Sequence, residues 1–444
     1  MKNQALLICL FILSVSLSFS QIVRFPLTKI RQDKNSNSEI SFNFLEQGRV
    51  DITNYYNDHY FAVVRLGSQS KRLNVKFDTG TSILWVRDAK TFDSKLYNGF
   101  SCEKSSTCSA DKSQSQTKNI SYIAKSSMTG YKITDQLRLG NFTIPDYNLL
   151  LAQQTTQDIP KVADGFMGLG LSETNPNFPS ILERLKDSGL ISTKTFSMFL
   201  GDEPEVYDGS VTGEFIFGGY DPQYAKEDFR FINVHDISGF WGTSLEQLNL
   251  GTEGLISEKP LSVVLDSGNA YLYLPGNIFR NVLTQLNKIN PKQETCYYNG
   301  LQSSYDCKCS EVPNLPNLTL HFDGNSFSIP SSAYTRNALG RCFLLIAEME
   351  ARRGIEGILG GVFLNNYYAL YSVENKTVGL AAVSKKSRYL FVNKTEQEMV
   401  YYAVGFVVFI VVWIIVAIVS CIRKRNAIEL ENQLRLMERN QEQF

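Results

Sequence analysis

Val75-Lys76-Phe77-Asp78-Thr79-Gly80 and, 188 residues later, Val263-Val264-Leu265-Asp266-Ser267-Gly268 are two writings of one pattern. In each, a short run of strand-forming residues leads into an aspartate and a turn of small residues. Each is followed at nearly the same distance by two apolar residues and a glycine. Phe166-Met167-Gly168 ends 90 residues after Asp78, and Ile358-Leu359-Gly360 ends 94 after Asp266. Matched landmarks at matched spacing predict a duplicated β-domain with a pseudo-twofold axis. The tripeptide alone carries little weight, and the chain holds its own control. Asp187-Ser188-Gly189 is a third copy, but it closes the helical pattern Ser180–Ser188 and is predicted to be a helix C-cap.

Around these two stretches, residues 55–390 read as β-rich. Alternating runs such as YFAVVRLG, YKITDQLRLGNFTI and GEFIFGGY are separated by Gly, Asn, Asp and Ser turns. Helical pattern is confined to Ser180–Ser188 and Asn277–Ile289. The polar stretch 21–54 reads as a removable or loosely held leader rather than core. The chain of 444 residues is 43% hydrophobic and 20% charged, which excludes a disordered chain and allows large cores. Forty-four basic residues balance forty-four acidic ones, so there is no global field to hold a nucleic acid. Only His59, His235 and His321 are present, far apart in sequence, which argues against a zinc centre or a histidine-based triad. No metal and no cofactor is expected.

The two ends predict the protein's address. A lysine near the start, an apolar run from Ala5 to Leu17 and small residues after it read as a signal peptide over 1–20. Met399 to Ile422 holds 24 residues without a charge, with Tyr401 and Tyr402 at one edge and Arg423-Lys424-Arg425 at the other. That is long enough to cross a bilayer, and the basic flank places the tail 423–444 on the cytoplasmic side. The expectation is a single-pass type I membrane protein of the secretory pathway, endolysosome or cell surface, its bulk lumenal or extracellular. Cys102, Cys108, Cys296, Cys307, Cys309 and Cys342 fall on that side and suggest three disulfides with 15 formal pairings. Local closure favours Cys102 with Cys108, while Cys307 and Cys309 each reach elsewhere. Five glycosylation sequons, at Asn119, Asn141, Asn317, Asn375 and Asn393, lie on the same side.

The chemistry suggested by the repeat follows from charge. Two strand-end aspartates brought together across a twofold axis cannot both ionise cheaply, so the pair shares one proton. The ionised carboxyl can take a proton from a water as it attacks a peptide carbonyl, and the protonated one can donate to the carbonyl oxygen. Neither a metal nor a covalent intermediate is needed.

Over about 56–383 the chain resembles the pepsin-type (family A1) aspartic proteases. FDTGTSILWV (77–86) is similar to that family's first active-site motif, and DGFMGLG (164–170) and ILGGVFLNNYYALYSVENKTVGLA (358–381) to two of its structural landmarks. The resemblance implies an all-β, bilobal pepsin-like fold with pseudo-twofold symmetry, to which the sequence adds one C-terminal transmembrane helix. It implies a zymogen leader, similar here to Ile22–Lys29, and endopeptidase activity on a polypeptide substrate by a monomer. Carried over, Asp78 and Asp266 are the catalytic aspartates, supported by Thr79, Gly80 and Thr81 and by Ser267, Gly268 and Asn269. Trp85 corresponds to the tryptophan behind the flap, Tyr122 to the flap tyrosine, and Ser127 to the end of the flap hairpin. Cys102–Cys108 and Cys309–Cys342 correspond to two family disulfides, leaving Cys296–Cys307 as an extra staple. The implied layout is a leader over 21–50, an N-terminal lobe over 51–230, a C-terminal lobe over 231–385, a stalk over 386–398, the span over 399–422 and the tail.

Three departures bear on function. Asn269 stands where the family has Ser or Thr, whose hydroxyl supports the second carboxylate, and an amide differs in reach and shape. The flap segment 122–130 is one residue longer than usual and lacks a glycine after Tyr122. Gly361 stands where Asp is common. The alternative to an active protease is therefore a catalytically impaired, receptor-like binding protein on the same fold, because fold does not guarantee chemistry. A transporter is excluded, since one uncharged span offers no path.

Overall fold

A computed structural model describes residues 48–384, apart from 56–58, 94–96, 114–116, 123–125, 157–158, 160–162, 172–176, 201–212, 257–258, 291–293, 302 and 339, together with 419, 422 and 423. The expected signal sequence, residues 21–47 of the expected leader, the expected stalk, nearly all of the apolar stretch 399–422, the segment beyond Arg423 and the Asn393 sequon lie outside the described residues. Among the described residues, no helix is long and apolar enough to cross a membrane.

Strands dominate because the polar–apolar period is two. Ser127–Leu139 alternates half-exposed and buried positions along most of its length, and Leu318–Phe322 does so throughout. The strands that carry the repeat differ. Gly165–Gly168, Leu261–Leu265 and Gly357–Leu359 are buried at nearly every position, as central strands covered on both faces must be.

The repeat is a repeat of pairing. Lys71–Asp78 runs parallel to Gly165–Gly168, which runs antiparallel to Trp85–Arg87, which in turn runs parallel to part of Phe142–Thr155. In the second half Leu261–Leu265 runs parallel to Gly357–Leu359, which is antiparallel to Leu272–Pro275, which is parallel to Ile346–Met349. The two aspartates thus occupy equivalent ends of equivalent strands.

The halves are not separate bodies. Among the described residues the largest sheet has 14 strands. In it Tyr367–Ser372, from the end of the chain, pairs with Thr195–Phe199, which pairs with Gly213–Phe217. Arg230–Asn233 then pairs with Thr377–Ala382. The expected lobe boundary at 230/231 therefore falls inside a strand of a shared sheet. Phe196 stacks on Tyr371 at 4.6 Å across this junction, and Trp241 donates its indole N–H to Leu169 O at 2.7 Å. The backbone of Gly48–Tyr55 also pairs with Gly213–Phe217 and His59–Leu66. Residues 48–54, expected to be loosely held, thus belong to the sheet: a strand edge next to Gly213–Phe217 offers backbone partners that a sequence pattern does not reveal.

Ile181–Asp187 is a short helix closed at its N-terminus by a reciprocal Ser180–Glu183 capping box. Ser188 caps its C-terminus, and Gly189 follows in the left-handed region at φ +66°, so the third Asp-Ser-Gly is a helix end. Gly276–Lys288 buries Ile278, Phe279, Val282 and Leu286, one face at helical spacing. The disulfides are Cys102–Cys108, Cys296–Cys307 and Cys309–Cys342.

Candidate active site

Asp78 ends the strand Lys71–Asp78, and Asp266 follows Leu261–Leu265. Both are almost wholly buried, at 3% and 8% exposure. Each carboxylate folds back onto its own turn. Gly80 N–H donates to Asp78 Oδ1 at 2.8 Å, and Gly268 N–H donates to Asp266 Oδ1 at 2.8 Å.

The intervening residues lock the turns together. Thr79 Oγ1 donates to Leu265 O at 2.9 Å and accepts from Ser267 N–H at 2.9 Å. Ser267 Oγ donates to Phe77 O at 3.2 Å and accepts from Thr79 N–H at 3.1 Å. All four bonds join residues more than 180 apart in sequence and are buried, so each group left unpaired would cost roughly 1–3 kcal/mol. This is the cause of the aspartates' meeting: the hydroxyls exchange strands and bring the carboxyls after them.

The approach is close enough to dictate glycine. A methyl group on Gly80 would lie 2.6 Å from Asp266 Oδ1, and one on Gly268 would lie 2.2 Å from Asp78 Oδ1. The two carboxyls share a hydrogen bond. Burial pushes both upward in pKa. For Asp266 the neighbouring charge of Asp78 and the bond between them add to the rise, well above the ordinary carboxylate range. For Asp78 the rise is opposed by the Lys76 ammonium, the Gly80 N–H and the bond to Asp266. Both carboxyls are thus raised, Asp266 the more strongly.

The other expected residues are placed as follows. Trp85 is fully buried, stacks on Phe166 at 5.0 Å and donates its indole N–H to Tyr122 Oη at 2.7 Å. The Tyr122 hydroxyl is driven well above its ordinary pKa by burial and then by the Asp78 charge, so it stays neutral. Tyr122 N–H donates to Ser126 O at 2.8 Å, at the neck of the hairpin formed by Thr117–Ser121 and Ser127–Leu139. Ser127 lies at that neck, its N–H bound to Thr156 Oγ1 at 3.0 Å. Thr81 is buried, and its carbonyl receives Gly170 N–H at 2.7 Å. Asn269 donates its N–H to Asp266 O at 3.2 Å, while its amide oxygen accepts from Tyr271 N–H at 3.2 Å. The carbonyl end of that amide is turned along its own chain. Asn119, Asn141, Asn317 and Asn375 are all exposed.

Sequence reasoning missed Lys76, Phe166 as a wall of the site, and Trp241. Lys76 had a legible signal: strand alternation puts it on the face of Asp78, two residues away. Trp241 had none, because its partner Leu169 is 72 residues distant.

Comparison with known proteins agrees with this geometry. A family profile described as eukaryotic aspartyl protease matches residues 59–383. Rhizopuspepsin-1 of Rhizopus niveus is 29% identical over 352 residues, covering 76% of this chain and 82% of that protein. Vacuolar protease A of Aspergillus fumigatus is 28% identical over 356 residues, covering 77% and 83%. Pepsin A of Gallus gallus is 25% identical over 349 residues, covering 75% and 86%.

Proposed function

The chain belongs to the eukaryotic aspartyl protease family and is an aspartic endopeptidase, and we propose that it cleaves polypeptides with Asp78 and Asp266 as a one-proton pair. The supporting observation is the mutual approach of the carboxyls through Gly80 and Gly268, each glycine lying against the other turn's aspartate. In this reading Asp78, carrying the charge, accepts a proton from the attacking water, and Asp266, carrying the proton, donates it to the substrate carbonyl oxygen. Electrons flow from the water O–H into the new C–O bond, and the carbonyl π pair is captured as a hydroxyl. Collapse of that tetrahedral centre then breaks the C–N bond, with the proton on Asp78 passing to the leaving amine and one hydroxyl proton returning to Asp266 as the carbonyl reforms. Tyr122, held by Trp85, closes one side of the site.

The same proposal places the catalytic part outside the cytoplasm, as a monomer anchored by 399–422, with 21–50 as a leader and the sequons as glycosylation sites. The three disulfides and the exposure of the four described sequons support that placement. Cleavage of a quenched-fluorescence peptide library across pH 2–8 by the full chain and by Asp78→Asn and Asp266→Asn tests it. Loss of at least about 10³-fold in both variants is expected, the scale of removing an acid–base group. Cleavage surviving in either variant would remove the pair from the chemistry.

A further inference from the structure

Lys76, like Asp78, is a charged residue that a buried strand does not call for. It is 3% exposed, between Val75 and Phe77, which are fully buried. A lysine in such a place is rare unless its charge is compensated. Its neighbours supply the compensation. Its Nζ donates to Gly268 O at 2.5 Å, a bond between residues 192 apart that runs from the first catalytic strand to the second catalytic turn. The ammonium also lies 5.6 Å from the centre of the Phe166 ring, the ring on which Trp85 stacks and Tyr122 leans.

We propose that Lys76 is a positioning residue for the carboxyl pair: its buried ammonium fastens the Asp266 turn to the Asp78 strand and sets the pH range in which the pair holds a single proton. The proposal rests on the reading of Asp78 and Asp266 as that pair. Its geometric part is the Nζ bond to Gly268 O, since Gly268 N–H in turn holds Asp266 Oδ1. Its electrostatic part is the attraction of one fixed cation for both carboxylates.

Several described groups face or flank this cation and the carboxyl pair. Opposite Lys76 on the flanking strands stand Phe61 and Phe166, neither of which titrates. On its own strand the facing charge is Asp78, and from the second turn it is Asp266. Tyr122 from the hairpin, Tyr273 and Tyr371 face the carboxyls and are held neutral by burial. Asp164, farther along the same parallel strand pair, is occupied by Asn74 N–H and Asn98 and faces Arg87 and Lys71.

The sign follows directly. A cation stabilises carboxylate over carboxylic acid, so it lowers both proton-release steps of the pair. The active form lies between those steps, so Lys76 shifts the whole activity window toward acid. Replacing it with a neutral residue moves both limbs toward neutral pH.

The test is the pH profile of kcat/KM for the full chain, Lys76→Met, Lys76→Gln and Lys76→Arg, with a library-selected peptide and folding checked by thermal melting. A peptide bearing a secondary alcohol in place of the scissile amide, as a mimic of the tetrahedral centre, gives a second readout through its Kd across pH. Lys76→Met and Lys76→Gln should move both limbs up by about one pH unit, a tenfold change in activity at each flank, the lower end for a nearby charge. Lys76→Arg should restore the parent limbs. Limbs that coincide with the parent in both neutral variants would overturn the proposal, as would an arginine variant that behaves like methionine. Failure of all three variants to fold would also overturn it, by assigning Lys76 to the fold alone. The underlying reading fails separately, if the parent's cleavage does not depend on Asp78.

Discussion

Gly268→Ala is the sharpest perturbation the site offers, because it adds a single methyl group. That carbon would lie 2.2 Å from Asp78 Oδ1, 2.5 Å from Asp78 Cγ and 2.9 Å from Asp266 Oδ1. Unbonded heavy atoms settle roughly 3.5 Å apart, so the Asp78 carboxyl or the second turn must retreat by more than about 1 Å. The turn cannot move freely, since Ser267 is bound to Thr79 and Phe77, and Gly268 O to Lys76. The displacement therefore falls on the carboxyl pair. A misplacement of about 1 Å in a reacting constellation costs on the order of 10²-fold, about 2.7 kcal/mol of transition-state stabilisation. The loss should appear in kcat more than in KM, because substrate contacts away from the pair are untouched. Gly189→Ala, in the third Asp-Ser-Gly, is the control. Nothing lies within 4 Å of its added carbon, but its φ of +66° makes it cost roughly 1–2 kcal/mol of stability. Its kcat/KM should stay within twofold of the parent. Steady-state kinetics and thermal melts on both variants decide the matter. A Gly268→Ala enzyme that melts like the parent and keeps kcat/KM within threefold would refute the close approach of the carboxyls.

Three further outcomes follow from other parts of the structure. Thr79→Val keeps the side-chain volume but strands Leu265 O and Ser267 N–H, so urea unfolding should show a loss of about 2–6 kcal/mol, together with lower kcat. Trp85→Phe removes the donor to Tyr122 Oη, and kcat/KM should fall about 2- to 13-fold, the value of one net hydrogen bond, together with a lower melting temperature from the space left beside Phe166. The third outcome concerns Asp306: burial raises its carboxyl pKa, but Arg341, whose Nε donates to Asp306 Oδ2 at 3.1 Å, with Asn299 and Ser304, outweighs burial and holds it below the ordinary value. A depressed carboxylate stabilises the fold above about pH 4 and loses that contribution as pH falls through its lowered value. The urea midpoint of Arg341→Met should therefore fall below the parent's at pH 6, and the difference should shrink at pH 2.5.

Much of the site was legible because its signals are local and doubled. Asp78 and Asp266 each end a strand-like run before a Thr/Ser-Gly turn, and the echo at Gly168 and Gly360 distinguishes them from the helix-capping Asp187. The helix Ile181–Asp187 could be read from Ile181, Leu182 and Leu185 and from the glycine after it. Local closure also favoured Cys102–Cys108, across six residues. By contrast, sequence gave no reason for Trp241 to reach Leu169, for Gly48–Tyr55 to join the sheet, or for Tyr367–Ser372 to pair with Thr195–Phe199. Those are backbone and side-chain partnerships across long separations, which leave no periodic mark.

The sequence by itself determined that there are two equivalent aspartate turns on a duplicated β framework, since strand alternation, turn chemistry and repeat spacing are properties of neighbouring residues. Only the tertiary structure decided how those turns meet: hydroxyls exchanged between Thr79 and Ser267, glycines reduced to bare backbone beneath the opposing carboxyls, and a buried Lys76 bridging to Gly268. Electrostatic influence acts through space, so what surrounds each aspartate depends on the group placed against it by the fold, nearly two hundred residues away along the chain.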